Sequence, residues 1–319
     1  MLSPEEQSIV NFIRSGDDMN IELALQLMKV DKRYMRIQVQ YKNLFTWLVQ
    51  HKLLEYTDAT EDKIKAILGL EKVVFQLDDH KTPIKVNTKI LKSLYLMLNL
   101  KQLALLNQGM NRLPESLNEL ESLLVLNCSG NRLAKLPKSM AKMDHLRVLL
   151  MGGNTFKELP MGITKLSNLT LLDLGRNQLE GLPEAFSDLT ALKWLNLHGN
   201  AVTTFPASIG RLIQLEHLSL ADNNLFDFPE YLDRIASLKV LHLDKNQLKN
   251  IPATIKNLKQ LEELYLGDNK IRFLPFEMSE LTNLKWLDLT GNFIGEEQQF
   301  LLKKWLPNCK IKLADGMVV

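Results

Sequence analysis

The chain lacks nearly every pattern that marks a catalyst, a disulfide-built secreted domain or a membrane span. Its 319 residues include only two cysteines, Cys128 and Cys309, too few and too far apart for a disulfide framework. No apolar run comes near the ~18 residues that cross a bilayer, and Leu94–Leu98, among the nearest, falls far short. The opening residues, MLSPEEQS, lack the basic and apolar parts of a secretory leader. A soluble cytoplasmic protein is therefore expected, with export by a signal-independent route as the alternative. Thirty-nine basic side chains against 37 acidic ones leave a formal charge of +2, no footprint for nucleic acid or an anionic membrane. There is no G-x-S-x-G, HExxH, CxxC or phosphate-cradling loop, so neither an enzyme nor a cofactor is expected.

What the chain does have is a repeat with a fixed period of 23 residues and no insertions. Leucine opens nine units, from Leu100 through Leu123, Leu146, Leu169, Leu192, Leu215, Leu238 and Leu261 to Leu284. A second leucine follows three residues later in every unit, and two further on stand seven leucines, Cys128 and Met151. Position nine is asparagine from Asn131 to Asn292, with Gln108 in the first unit. Eight prolines, Pro114 to Pro275 at the same interval, mark the second half of the unit, each preceded by an apolar residue.

Each element has a physical reason. Alternate residues of a strand point the same way, so the L-x-L step puts two leucines on one face. Asparagine ends the strand where main-chain groups lose their sheet partners. Its amide both donates and accepts, satisfying groups that cost roughly 1–3 kcal/mol each if left buried and unpaired. Gln108 keeps the amide with one more methylene, so a shifted bonding pattern is expected there. Proline suits the first position of a short helical or 3₁₀ segment, because its φ is set and its nitrogen needs no acceptor. In the unit 169–191, Leu169, Leu172, Leu174, Leu179, Leu182, Phe186 and Leu189 are expected to point inward. No unit closes its own core, so stability comes from stacking neighbours.

The pattern LxxLxLxxNxLxxLPxxLxxL resembles the leucine-rich-repeat superfamily, without a gap over 100–294. The 23-residue period with Leu-Pro is similar to the intracellular Ras-group subclass, which includes Scribble-like scaffolds, and to many bacterial relatives. The resemblance implies an α/β solenoid, a horseshoe with a parallel concave sheet and a helical N-terminal cap. For function it is unspecific, because the family binds proteins, peptides, lipids and glycans alike. Some bacterial relatives add a ubiquitin-ligase domain with a nucleophilic cysteine, for which the tail after Asn292 leaves no room. Cys128 takes a core leucine position and is expected to be buried and inert.

The ends depart from the repeat. After Ile294 the expected Leu-Pro becomes Glu297-Gln298, and 296–306 reads as a helix with Phe300, Leu301 and Trp305 available to cover the last core. Cys309, Ile311 and Leu313 then alternate with Lys310 and Lys312, as in a half-buried edge strand guarded by lysines. The LPNCKI segment resembles the terminal cap of bacterial relatives. Residues 77–99 read as a degenerate capping unit with Leu77 kept and His80 and Thr82 at core positions. Residues 1–76 read as a helical cap or a small separate module. There Ser3-Pro4-Glu5-Glu6 opens a first helix, 21–29 a second, the stripe Tyr34, Ile37, Tyr41, Leu44, Phe45 and Leu48 a third, and 60–68 a fourth. The full reading is thus 1–76, 77–99, nine repeats over 100–294, and a helix-plus-strand cap over 295–319.

Strand positions three and five of each unit point away from the core and are free to vary. Early units carry Val125, Val148, Leu150 and Leu171 there; later ones carry Asp173, Trp194, Asn196, His217, His242, Tyr265 and Trp286. Arg176 stands at position eight, with Asp222, Lys245 and Asp268 in later units. Solvent-facing positions have no packing reason to be aromatic, so a ligand site is expected on this face, with Trp194 and Trp286 as anchors. The bland alternative is that valine is a good strand former and that Asp222, Lys245 and Asp268 pair as a charge ladder. His198, His217 and His242 fall in different columns without an evident third ligand, so solvated histidines are expected rather than a metal site. The expected function is a monomeric, non-enzymatic scaffold or adaptor binding a protein partner. The alternative is an exported effector or a receptor for a host protein or a cell-wall carbohydrate.

Overall fold

The computed structural model describes residues 3, 4, 8–11, 23–24, 27–28, 35–50, 67–68, 70–76, 93, 96–97, 99–229 and 231–313. The chain divides into two compact units, Met1–Gln108 with Leu113–Leu126, and Gly109–Arg112 with Asn127–Val319.

In the first unit, helix α1 (Met35–Gln50) has neither glycine nor proline to interrupt it. Ile37, Tyr41, Leu44, Phe45 and Leu48 recur at helical spacing and are all buried, as the stripe predicts. The Tyr41 hydroxyl donates to the Leu96 carbonyl at 3.4 Å, a satisfied polar tip on a buried ring. Residues 8–11, 23–24, 27–28 and 67–68 are helical where helices were expected, with Ile9, Val10, Ala24, Met28, Ile67 and Leu68 buried. Strand β1 (Lys72–Gln76) pairs in parallel with β2 (Gln102–Leu106), Lys72 opposite Gln102. This corrects the expected degenerate unit: the strand before the first full repeat lies thirty residues back, not one 23-residue period. Of the residues in that expected unit, Met97 is buried, while Leu77, His80, Thr82, Ile90 and Leu94 lie outside the described residues, as do Glu5, Glu6 and Tyr34.

Strand β3 (Val125–Asn127) falls where the chain passes from the first unit to the second. In the second unit, β4 (Val148–Leu150), β5 (Leu171–Asp173), β6 (Trp194–Asn196), β7 (His217–Ser219), β8 (Val240–His242), β9 (Glu263–Tyr265), β10 (Trp286–Asp288) and β11 (Lys310–Lys312) pair in chain order, all parallel. Register follows the repeat: Val148 faces Leu171, Leu171 faces Trp194, and Trp194 faces His217. Every strand from β4 to β10 buries its middle leucine and leaves the two flanking residues half-buried. The side opposite the strands is built from 3₁₀ segments such as Met161–Lys165 and Glu184–Asp188.

Proline stands one place earlier than expected. Pro160 and Pro183 cap these segments with extended backbone, φ −61° and −74°, and their carbonyls accept the first 3₁₀ bonds, from Ile163 and Phe186 at 2.9 Å. A residue before the first turn needs its carbonyl and not its N–H, which is what proline keeps. In the unit 215–237 the 3₁₀ segment begins only at Leu232, after Tyr231 with φ 67°. Within 169–191, Leu169, Leu172, Leu174, Leu179, Phe186 and Leu189 are fully buried, while Leu182 beside the proline is half-buried.

The asparagine column holds the stack in phase. Asn177 Nδ2 donates to the Leu174 carbonyl at 2.9 Å and to the Met151 carbonyl of the preceding unit at 3.1 Å. Its Oδ1 accepts the Phe156 N–H at 3.1 Å. Asn154, Asn200, Asn223, Asn246, Asn269 and Asn292 repeat this three-way bridge. In the first unit of the chain Gln108 is also buried, and its longer amide donates to Leu106, two residues back, at 3.1 Å.

At the C-terminus, helix α2 (Glu296–Trp305) forms with Glu296 and Glu297 in its first turn and Lys303 and Lys304 in its last, both favourable to the helix dipole. Its buried residues are Gln298 and Leu302; Phe300 is 58% exposed, so the helix is rotated from the expected face. Strand β11 buries Ile311 and exposes Lys310, with Cys309 and Leu313 buried on either side.

Replacing Asn177 with alanine strands the Phe156 N–H in the core and takes one of two amide donors from each of the Met151 and Leu174 carbonyls, which keep Asn154 and Asn200. Asn177→Ala is expected to lower unfolding free energy by roughly 1–3 kcal/mol, read from urea denaturation. An effect near that of a surface substitution would show that the bridge is dispensable.

Candidate functional site

The strand face of the second unit carries the residues singled out by sequence from Val148 to Trp286, while Val125 belongs to the first unit. Register sets Val148, Leu171, Trp194 and His217 in one row, and Leu150, Asp173, Asn196, Ser219, His242 and Tyr265 in the row beside it. Trp286 lies on the same row as Trp194, facing Glu263 on β9. The early part of the face is an apolar stripe, half-buried at Val148, Leu150 and Leu171.

At its middle, a pocket of about 280 Å³ opens between Trp194, Asn196, His198, His217, Ser219 and His242. His198, expected as a solvated residue past the strand, lines this pocket with His217 and His242. A histidine at a strand end carries no periodic signal, which is why the pattern did not find it. Among the described residues, no group of three histidine, cysteine or acidic side chains is placed to hold a metal ion.

On the far wall, the His242 and Tyr265 rings stack with centroids 4.1 Å apart and planes 6° from parallel. The Tyr265 hydroxyl donates to Glu263 Oε2 at 2.7 Å. Burial and the neighbouring Glu263 carboxylate push the phenol up to about 12, so it stays a neutral donor. His242 Nδ1 lies 3.6 Å from Asp244 Oδ1. Among the described residues, Asp244 Oδ1 and Trp286 Nε1 are shielded polar atoms with no hydrogen-bond partner.

Two of the singled-out polar residues have structural work. Asp173 Oδ1 accepts the Gly175 N–H at 2.9 Å and the Asn196 amide at 2.9 Å. Asn196 Oδ1 in turn accepts the His198 N–H at 2.9 Å. Asp288 does likewise with the Thr290 N–H at 2.9 Å and hydroxyl at 2.6 Å, and Lys312 approaches it at 3.2 Å. Burial tends to raise the Asp288 carboxyl, but these hydrogen bonds and the lysine hold it below its usual value. A short acceptor at position five thus closes the turn that follows each of these strands.

Position eight is a column of left-handed backbone. Gly153 and Gly199 adopt φ 65° and 67° without steric penalty, but Arg176, Asp222, Lys245 and Asp268 hold φ 53–55° in the same column. Among the described residues no ion pair joins Asp222, Lys245 and Asp268, so the charge-ladder explanation fails. All four charged side chains are exposed along one edge of the strand face.

Two family models, described as a leucine-rich repeat region and a leucine rich repeat, match residues 140–228 and 236–294. A solved leucine-rich-repeat protein from Leptospira interrogans matches with a TM-score of 0.72 and 32% identity, over 78% of this chain. This is a leucine-rich-repeat protein. It spans 62% of the length of that Leptospira protein. An internalin from Listeria monocytogenes shares the fold, at a TM-score of 0.59 and 18% identity over 88% of each chain. The Arabidopsis receptor kinase HAESA, solved in complex with a peptide hormone and a co-receptor, matches at a TM-score of 0.56 and 32% identity. That match covers 63% of this chain and 35% of HAESA. No curated protein matches the repeat protein.

Strained charged residues in a column where glycine is free invite a direct test. Lys245→Gly is expected to raise unfolding free energy by about 1 kcal/mol, read by urea denaturation, by removing left-handed strain. A loss of stability would show that the Lys245 side chain supports the fold itself.

Proposed function

We propose that the protein is a non-enzymatic scaffold or adaptor that seats a protein partner on the strand face of its second unit. The observation that carries this reading is the half-exposed aromatic wall of Trp194, the His242–Tyr265 stack and Trp286 on a surface with no packing need for rings. Trp194 on β6 and Trp286 on β10 are four strand steps apart, about 19 Å at ~4.8 Å per step, a span that suits a protein surface better than a small ligand. Tryptophan and tyrosine anchors flanked by charged edges are the usual make-up of interface hot spots.

The solved relatives support a binding role. The HAESA structure holds a peptide hormone and a co-receptor, and the repeat domain of FLRT2, with the same fold, sits in an octameric complex with Latrophilin 3 and Unc5D. On chemistry, burial pushes the Cys309 thiol up to about 11 and the Cys128 thiol higher still, which disarms both as nucleophiles. Two free, buried thiols fit the reducing cytoplasm, where we place the scaffold and its partner.

The double variant Trp194→Ala/Trp286→Ala tests the reading by affinity capture from source-cell lysate. Loss of two anchors is expected to weaken the captured partner about 30-fold or more, with circular dichroism unchanged. Equal capture by the variant and the natural protein overturns it.

A further inference from the structure

The second unit holds another recess, away from the strand face and well separated in sequence from the aromatic wall. It lies where two successive units run from their asparagines through Leu136-Pro137 and Leu159-Pro160 into their 3₁₀ segments, with Gln178 of the next unit at its edge, an open recess of about 950 Å³. That is near the upper end of the roughly 300–1,000 Å³ typical of ligand pockets. Its floor is apolar. Leu159 is buried and Leu136, Pro137 and Pro160 are half-buried, while Met161 stands 56% exposed at the mouth.

Small residues keep the recess open. A Cβ built on Gly162 would lie 3.6 Å from the Ala141 nitrogen and 3.9 Å from its Cβ, ordinary contact distances. The backbone there therefore tolerates a side chain, and glycine leaves space that any larger residue would take up.

The rim is basic to a degree the chain as a whole is not. Lys135, Lys138, Lys157 and Lys165 line the recess against one acid, Glu158, in a protein whose net charge is +2. Lys165 has Asp188 at 3.7 Å. Among the described residues, Lys135 and Lys157 form no ion pair, and both are exposed. Clustered unpaired lysines repel one another, so their field favours an anionic occupant.

We propose that this groove binds an acidic peptide segment of a partner protein, an apolar side chain entering between the two Leu-Pro steps while flanking carboxylates meet Lys135 and Lys157. The shape argues for a peptide over a bilayer. A lipid surface takes up protruding apolar residues, whereas here the leucines and prolines line a depression and only Met161 projects. The site is independent of the strand-face reading, since none of its lining residues belongs to a strand.

The test is selection of a displayed library of random short peptides on the immobilised full chain, followed by fluorescence anisotropy with the enriched peptide. The enriched sequences should carry aspartate or glutamate on both sides of an apolar residue. Lys135→Glu/Lys157→Glu should weaken binding about tenfold or more and flatten its salt dependence, by reversing the charge that screening acts on. Gly162→Leu, at unchanged circular dichroism, should block the groove by bulk alone. Trp194→Ala/Trp286→Ala should leave this binding intact, which separates failure here from failure of the strand-face proposal. Enriched peptides without acidic bias, or binding that ignores both groove variants, overturn the inference. So does binding to phosphatidylserine vesicles that the lysine reversal abolishes while no peptide is enriched, which would make the groove a membrane contact.

Discussion

The buried asparagine is the constraint on which the second unit depends. One side-chain amide bonds three main-chain groups that have no sheet or helix partner, and two of the three belong to the preceding unit. It thereby closes the turn of its own repeat and sets that repeat's phase against the preceding one. Leucine burial supplies the larger energy, about 2 kcal/mol for each fully buried side chain, but apolar contact is non-directional and fixes no register. The amide bridge does. A slip of one residue would strand three polar groups at every junction.

Register fixed in this way turns strand alternation into a designed surface. Each strand commits its middle leucine to the core and projects two residues outward, and the constant 23-residue step aligns those residues into rows. The chain is free to choose them, and it places an apolar stripe early and aromatic and histidine side chains later. Some of the choice serves the fold: Asp173, Asn196 and Asp288 close the turns beyond their strands. The aromatic wall has no such duty. Nor do the charged residues in left-handed backbone, each held at a cost of roughly 1 kcal/mol where glycine would be free of strain.

Much of this was legible in the sequence, because a repeat restates its constraints nine times. The leucine, asparagine and proline columns, the outward positions, the C-terminal helix and the final lysine-guarded strand all follow from spacing and residue chemistry. What spacing missed lies where the repeat stops restating itself. The strand at Lys72–Gln76 breaks the period, so the step to it could not be read from the units that follow. Helix α2 turns Leu302 inward in place of Phe300, a rotation set by tertiary contact with no periodic precedent in the chain. The left-handed column was hidden because only some of its members are glycine. The groove beside Gly162 is a property of two adjacent units, invisible to a reading that compares columns one at a time.

The central claim is that the aromatic wall of the strand face, and not the 3₁₀ side behind it, is where the scaffold's main protein partner sits, apart from the groove beside Gly162. Site-specific photo-crosslinking tests it most directly, with p-benzoylphenylalanine in place of Tyr265 on β9 or of Lys256 on the 3₁₀ segment Ala253–Asn257. The account predicts a discrete protein adduct from position 265 in source cells and none from position 256. Adducts of equal yield from both positions, or from position 256 alone, would contradict it.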